Sequence, residues 1–468
     1  MYALVHPSRQ LIVGTALIAA ATLMPRLTLA AEPPSPKPNV LLIIADDLTF
    51  DAVGCYGNKD VSTPNIDRLA CEGMLLSRAF TATAMCAPTR QQLYTGIFPV
   101  RNGAYPNHSR VRPGIKSIVH YLGDLGYRVG LCGKSHIGPR EAFPFENVGR
   151  GAVADFIGRD KQQPFCLIYA SHSPHCPWSA GDASLYKPDK LALPPYLVDT
   201  PQTRSALARY YGEVTDLDRE VGDCMELVRD AGVKQNTIFI FTSEQGAQFP
   251  HGKWTCYDTG LHVSLLVRWP GRIKPGSVSD AMVQYVDVVP TLVDAAGGRP
   301  IEGLDGRSFL PVLLGKTDKH NDVVYGVHTT KGIIAGTPEG YPIRSIRTQT
   351  HKYIMNLNHE AAFHNVLISG DREGYWKSWL KRARTDPAAA KIVRWYEHRP
   401  AEELYDIVND PHELNNLAGD PANRPLIDSL RKRLEAWMHQ QGDKGLETEL
   451  SYRKAPKKRP KKAPKKKK

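Results

Sequence analysis

The sequence lacks a cysteine framework. Its eight cysteines (55, 71, 86, 132, 166, 176, 224 and 256) follow no regular spacing, which excludes a disulfide-stapled scaffold and leaves room for one or two bridges at most. No internal repeat of about 20–50 residues is present, so solenoids and propellers are excluded. No apolar run is long enough to read as a bilayer span, because Leu11 to Met24 is interrupted by Gly14, Thr15 and Thr22 and followed by Pro25. The body also lacks a surplus of positive charge. The formal net charge is +12, yet Arg453 to Lys468 holds 11 Lys/Arg and no acid, and the leader holds Arg9 and Arg26. The remaining 47 basic residues face 48 acidic ones. A neutral body excludes a nucleic-acid-binding domain, and no nucleic-acid partner is expected.

What is present divides the chain into four parts. Residues 1–30 read as an export signal, with Arg9, the apolar stretch from Leu11 and the small-x-small site Thr28-Leu29-Ala30. An uncleaved anchor is the alternative. Cleavage would deliver a periplasmic or secreted protein with no stable membrane span. The 468 residues, 42% of them apolar, then give room for a large domain over 38–315 and a smaller one over 316–450. From residue 451 the chain alternates lysine pairs with proline, a composition that cannot bury a core and is expected to be disordered. Such a tail suits a polyanionic surface, or serves only as a solubilising appendage.

Asn39 to Ala45 is a continuous apolar run, the pattern of a strand buried on both faces of a parallel sheet. It ends in Asp46-Asp47. Similar strands are expected over Tyr127–Cys132, Phe165–Ala170, Thr237–Phe241 and Val263–Trp269. They lead into Gly133-Lys134-Ser135-His136, into Ser171-His172-Ser173-Pro174-His175 and into Glu244-Gln245, with Lys253 in the loop before the last. Helices are expected over Thr63–Glu72, Ile115–Leu125 and Thr203–Ala231. Alternating elements of this kind predict an α/β fold, a parallel-rich sheet sandwiched by helices. Ligands of such sheets bind beyond the carboxyl ends of the strands, where these polar groups fall. From Asp322 onward short strands at Val323–Val327, Ile343–Gln349 and Lys352–Leu357 predict a small antiparallel sheet, covered by a helix over Pro425–His439.

Cys86-Ala87-Pro88-Thr89-Arg90 starts another helix. Proline two residues after the cysteine suits the first turn. Cys86 then sits at the positive end of the helix dipole, with Arg90 one turn on, in an anion site containing a reactive atom. A buried structural cysteine is the plain alternative. Asp46, Asp47, Glu244 and Gln245 form an all-oxygen ligand set that favours Ca²⁺ or Mg²⁺ over zinc. Arg90, Lys134 and Lys253 add positive charge, and His136 and His175 suit proton transfer.

The segment from Cys86 to Gly96 resembles the sulfatase signature, Cys-x-Pro-x-Arg followed by x-x-Leu-x-Thr-Gly. Asp46-Asp47, Gly133-Lys134-Ser135-His136, Pro174-His175, Leu404-Tyr405-Asp406, Asp410-Pro411 and Asn416-Leu417 are similar to further family motifs. The resemblance covers about residues 38 to 450. It implies an alkaline-phosphatase-like fold with a smaller C-terminal α+β domain carrying the antiparallel sheet. It also implies formylglycine made from Cys86 by a maturation enzyme, a divalent cation on Asp46, Asp47, Glu244, Gln245 and residue 86, and catalytic roles for Arg90, Lys134, His136, His175 and Lys253. Glu244-Gln245 departs from the family's usual Asp followed by Asn or His by one methylene in each side chain. Gly133 to Pro139 and Tyr341 to Ser345 look like the N-sulfoglucosamine sulfohydrolase branch, which has arginine where Lys253 stands. The implied substrate is a sulfated glycan bearing a sulfamate or a sulfate ester, with His328, Arg344 and Arg347 as candidates for contacting the sugar. A phosphomonoester or phosphonate hydrolase of the same superfamily is the alternative.

Overall fold

The computed structural model describes residues 36–329 and 340–452. The segment expected to be an export signal and nearly all of the basic tail lie outside them. From Lys37 onward the described residues form one compact unit. Its core is an eight-stranded sheet in the order Ser277–Ser279, Met74–Leu76, Leu265–Arg268, Thr237–Ser243, Asn39–Ala45, Phe165–Ala170, Arg128–Gly133 and Glu146–Val148. Asn39–Ala45 pairs in parallel with Thr237–Ser243 on one side and Phe165–Ala170 on the other. Arg128–Gly133 and Glu146–Val148 extend the parallel set.

The central strand divides the core in two. Leu41, Ile43 and Ala45 join one apolar cluster, and Val40, Leu42 and Ile44 join the other. This is the two-residue period of a pleated strand covered on both sides. Each Leu or Ile buried in this way contributes roughly 1.5–3 kcal/mol. Helices Pro64–Glu72 and Pro201–Asp230 supply Ile66, Leu69, Leu207, Val214 and Leu217 to the first face. Cys86–Thr95, Ile118–Gly123 and Val288–Ala295 supply Leu93, Ile118 and Leu292 to the second.

The expected α/β architecture is therefore found, with two differences of pairing. Leu265–Arg268 runs antiparallel to Thr237–Ser243, because no helical crossover separates them, only a loop and the four-residue helix Asp258–Leu261. The second sheet has a fourth strand, Glu402–Asp406, beside Val324–His328, Ile343–Arg347 and His351–Asn356. The sequence alone reads that segment as the approach to a turn. The expected covering helix, Arg424–Gln440, packs Ile427, Leu430, Leu434 and Trp437 on Val327, Ile346, Tyr353 and Leu404, and a short helix, Leu446–Ser451, follows it. Two helices not anticipated, Tyr375–Arg382 and Pro387–Glu397, cover the first core with Trp376, Trp379 and Tyr396. All eight cysteines are free. Among the described residues no helix is long and apolar enough to cross a membrane.

Candidate active site

The carboxyl ends of four parallel strands are tied to one another just beyond the sheet. Ala45 pairs with Ser243, so the next residues, Asp46 and Glu244, emerge side by side. Glu244 N donates to Ala45 O at 2.9 Å, and Asp46 N donates to Ser173 O at 2.9 Å. Lys134 N donates to Ala170 O at 3.0 Å. Gly133 precedes it with φ of 88°, and a Cβ there would stand 2.1 Å from Ala170 O. Only glycine lets the strand end turn at that contact.

Cys86 is the first residue of its helix, with Met85 at the N-cap and no capping side chain. Its Sγ lies 3.5 Å from Gln245 Nε2 and 4.0 Å from Asp47 Oδ1. Around it are three buried acids and three bases. Lys134 Nζ contacts both oxygens of Asp46, at 2.6 and 2.5 Å. Lys253 Nζ donates to Asp47 Oδ2 at 2.6 Å. Arg90 Nε lies 2.5 Å from Glu244 Oε2, and both side chains are 0% exposed. That approach lies off the hydrogen-bond axis, so Glu244 Oε2 has no aligned donor. Gln245 Nε2 donates to Asp47 Oδ1 at 2.6 Å and to Glu244 Oε1 at 3.0 Å, while Gln245 Oε1 is buried without a partner.

Burial pushes the Asp46 carboxyl well above the usual range, and the neighbouring Glu244 pushes it further. Burial also opposes the charge on Glu244, but Arg90 and Lys134 outweigh it and hold this carboxyl well below its usual value. Lys253 is raised in the same manner: burial opposes its charge, and Asp47 overcomes the cost. Burial pushes the Cys86 thiol up, with Glu244 adding to the effect. A thiol so placed is a poor thiolate nucleophile.

The donor set fits a hard divalent cation. Ligand atoms of Asp46, Asp47, Cys86 and His175 lie within 4.8 Å of one another, and Glu244 Oε2 and Gln245 Oε1 are buried oxygens without hydrogen bonds. Crowded oxygens of this kind call for a cation, and they are all hard ligands apart from the cysteine and histidine. His175 enters this group, whereas Glu244 turns towards Arg90. The longer Glu side chain reaches the guanidinium.

The site opens to solvent through a cleft of about 620 Å³ lined by Asp46, Cys86, Lys134, His136, His175 and Lys253 among others. His175 Nε2 lies 3.4 Å from Lys253 Nζ and 3.5 Å from Asp47 Oδ2, and its side chain is 35% exposed. His136 Nε2 pairs with His108 Nδ1 at 2.7 Å, leaving its own Nδ1 buried without a partner. Burial, then Lys134 and His108, depress the His136 imidazole to about 4. Backbone in the left-handed region gathers here, at Asp47, His108, His136 and Trp254, with φ of 66°, 60°, 48° and 67°. Such conformations cost free energy and cluster at functional sites.

Three candidates are placed elsewhere. His328, Arg344 and Arg347, read from the sequence as sugar contacts, do not line the cleft. Arg344 is fully buried and forms a two-point pair with Asp443, at 2.5 and 3.0 Å. Arg347 Nε donates to Asp258 Oδ2 at 2.8 Å. His328 is 0% exposed. Their polar type suggested recognition, but both faces of the strand Ile343–Arg347 are covered, so Arg344 on one face and Arg347 on the other are each enclosed with an acid partner. The cleft instead gains Asn107, His108, His172, Gln248, Trp254 and Arg372. His172 and Trp254 are neighbours of residues the sequence singled out; Arg372 has no local signal.

The chain is similar to known proteins. The family described as Sulfatase matches residues 38–154 and 151–298. This chain belongs to the sulfatase family. It is accordingly a sulfuric ester hydrolase. The C-terminal family described as N-sulphoglucosamine sulphohydrolase matches residues 249–366 of this sulfatase. An ulvan-active sulfatase of Formosa agariphila is 36% identical over 87% of this chain and 81% of its own length. The N-sulphoglucosamine sulphohydrolase of Homo sapiens is 31% identical over 86% of this chain and 90% of its own. A solved structure of a protein in complex with its substrate, D-glucosamine-2-N,6-O-disulfate, superposes with a TM-score of 0.68. It does so at 20% identity over 87% of this chain and 99% of that one, a likeness of fold.

Proposed function

We propose that this sulfatase is exported and removes sulfate from a glycan, as a sulfamate or a sulfate ester, using formylglycine at position 86 and a divalent cation. The observation that carries the reading is Cys86 at the first turn of its helix, facing Asp46, Asp47 and Gln245 with Lys134 and Lys253 beside them. The likeness to the human sulphohydrolase over 86% of this chain favours a sulfamate on glucosamine. Lys253 and the likeness to an ulvan-active sulfatase favour the second reading, an O-sulfated polysaccharide.

Residue 86, once matured to formylglycine by its generating enzyme, would supply a hydrated aldehyde whose hydroxyl attacks sulfur. Ca²⁺ or Mg²⁺ held by Asp46, Asp47, Gln245 and residue 86, with Glu244 or His175 completing the set, would neutralise the carboxylates and polarise one sulfate oxygen. The three bases balance the three acids, so a divalent cation leaves a positive surplus for a sulfuryl anion. Arg90 and Lys134 orient residue 86 and the sulfate oxygens through fixed charge. His175, backed by Lys253 at 3.4 Å, holds the proton for the departing alcohol or amine. His136, whose imidazole is depressed to about 4, is neutral near pH 7 and keeps Nδ1 unpaired as a proton acceptor.

The test is the mass of the peptide containing residue 86 after co-expression with a formylglycine-generating enzyme, set beside aryl sulfate and aryl phosphate hydrolysis. Conversion makes the peptide about 18 Da lighter and is expected to parallel aryl sulfate turnover. Full activity with unmodified cysteine, or a dominant phosphatase rate, contradicts the proposal.

A further inference from the structure

The floor of the cleft is electrically matched, acid against base, but its outer wall is not. Among the described residues lining the cleft Asp46 is the only acid, and it is taken by Lys134. Arg372 stands on the outer wall, exposed, and the segment holding it is anchored on both sides. Asp371 caps the helix Tyr375–Arg382, accepting from Trp376 N at 2.9 Å and Lys377 N at 3.1 Å. Glu373 is held by Arg209 Nη2 at 2.5 Å and by Cys176 Sγ at 3.4 Å. The acid beside Arg372 is therefore committed to another arginine. The contact with Cys176 also places this segment next to His175, on the leaving-group side of the cleft. Burial pushes the Cys176 thiol up to about 12, with Glu373 adding and the Arg372 charge opposing, as expected of close neighbours.

We propose that Arg372 is a specificity-determining residue that grips a second anionic group, a sulfate or a carboxylate, on the sugar released by the reaction or on the unit next to it. The proposal rests on the sulfatase reading of residue 86 and deepens it: the substrate is a glycan with two or more acidic groups, one cleaved and one held. A guanidinium on a short, doubly anchored segment loses little freedom on binding and matches a planar or tripodal oxyanion with two parallel donors.

The experiment compares wild type, Arg372→Ala and Arg372→Lys in the matured, cation-loaded enzyme. Three probes are used: D-glucosamine-2-N-sulfate, D-glucosamine-2-N,6-O-disulfate, and a disaccharide joining a uronic acid to N-sulfoglucosamine. Binding of the same probes is titrated in a Cys86→Ala background, where turnover plays no part. For Arg372→Ala the rise in KM and Kd on a doubly charged probe is expected to exceed that on the singly charged one by about tenfold, as for a charge-assisted pair at a partly solvated site. The kcat ratio should stay flat, Arg372→Lys should recover part of the loss, and the effect should shrink with salt. A penalty on the disulfate alone identifies a sulfate, and one on the disaccharide alone a carboxylate. Absence of discrimination, whether all three probes weaken alike or none binds, overturns the assignment. The sulfatase reading is judged separately, by aryl sulfate turnover of wild type.

Discussion

The cleft floor and the contact between the antiparallel sheet and the helix Asp258–Leu261 are both built from buried acids and bases. Only the first has chemistry left to do. At the sheet contact, Asp258 receives Arg347 on one oxygen and Lys352 on the other, at 2.8 and 2.7 Å. Its own N donates to Glu413 at 2.5 Å, and nearby Arg344 is paired at two points with Asp443. At the cleft floor, Glu244 Oε2 and Gln245 Oε1 have no hydrogen-bond partner, and the cluster opens to solvent. Burial and charge alone do not distinguish a site from a latch. Opening to solvent does: the latch also holds an oxygen without an aligned donor, Glu413 Oε1, but Glu413 is sealed at 0% exposure.

The comparison can be broken most directly at residue 86. Cys86→Ala should lower aryl sulfate turnover by about four orders of magnitude or more, as removal of a nucleophile does, with little change in melting temperature. Residual turnover within tenfold of wild type would return Cys86 to the core. Next in size, chelation of the cation or Asp47→Asn should cost about 10²–10³ in kcat, the range for lost electrostatic or metal stabilisation. Added Ca²⁺ should restore the chelated enzyme and only partly the variant, read as initial rates against metal concentration.

Arg344→Ala tests the other side. It strands Asp443 and should cost about 3–5 kcal/mol of stability, the usual penalty for half a buried pair, measured by denaturant unfolding. Turnover per folded molecule should hold; a selective rise in KM would make Arg344 a substrate contact after all.

A smaller effect lies at Glu413, whose carboxyl burial, then Asp258, raise to about 8 despite Lys352. The native state then binds a proton that the unfolded state has lost, so this group lowers stability as pH rises from about 4.5 to 8. Glu413→Gln should flatten that slope in melting temperature against pH; an unchanged slope assigns it elsewhere. Deleting residues 453–468 should have the least effect on catalysis. Small-substrate turnover should persist while retention on an anionic matrix falls, and lost turnover would tie the tail to the site.

Much of this was legible locally. Val40–Ala45 is apolar at every position, the pattern of a strand covered on both faces, and its end fixes where Asp46 and Asp47 emerge. Pro88 and the dipole set the first turn at Cys86. Less legible were Leu265–Arg268, whose apolar pattern is the same for either direction of pairing, and Glu402–Asp406, whose strand character depends on His351–Asn356 beside it. Arg344, Arg347 and Arg372 are identical in type. By sequence the first two read as ligand contacts and the third carries no signal, because a charge's partner is set by distance in space and not by its neighbours in the chain.

The sequence by itself determined the sheet-and-helix alternation, the strand ends that carry the polar groups, and the cysteine-to-arginine turn, since each rests on a period, a cap or a chain reversal spanning a few residues. Tertiary structure decided which charges cancel, which oxygens are left unsatisfied and which arginine faces the cleft. Those outcomes depend on contacts between residues 39 to 206 positions apart, as between Cys86 and Asp47 or Lys253 and Asp47. Desolvation makes each such pairing either satisfied or costly, and only the folded chain settles which.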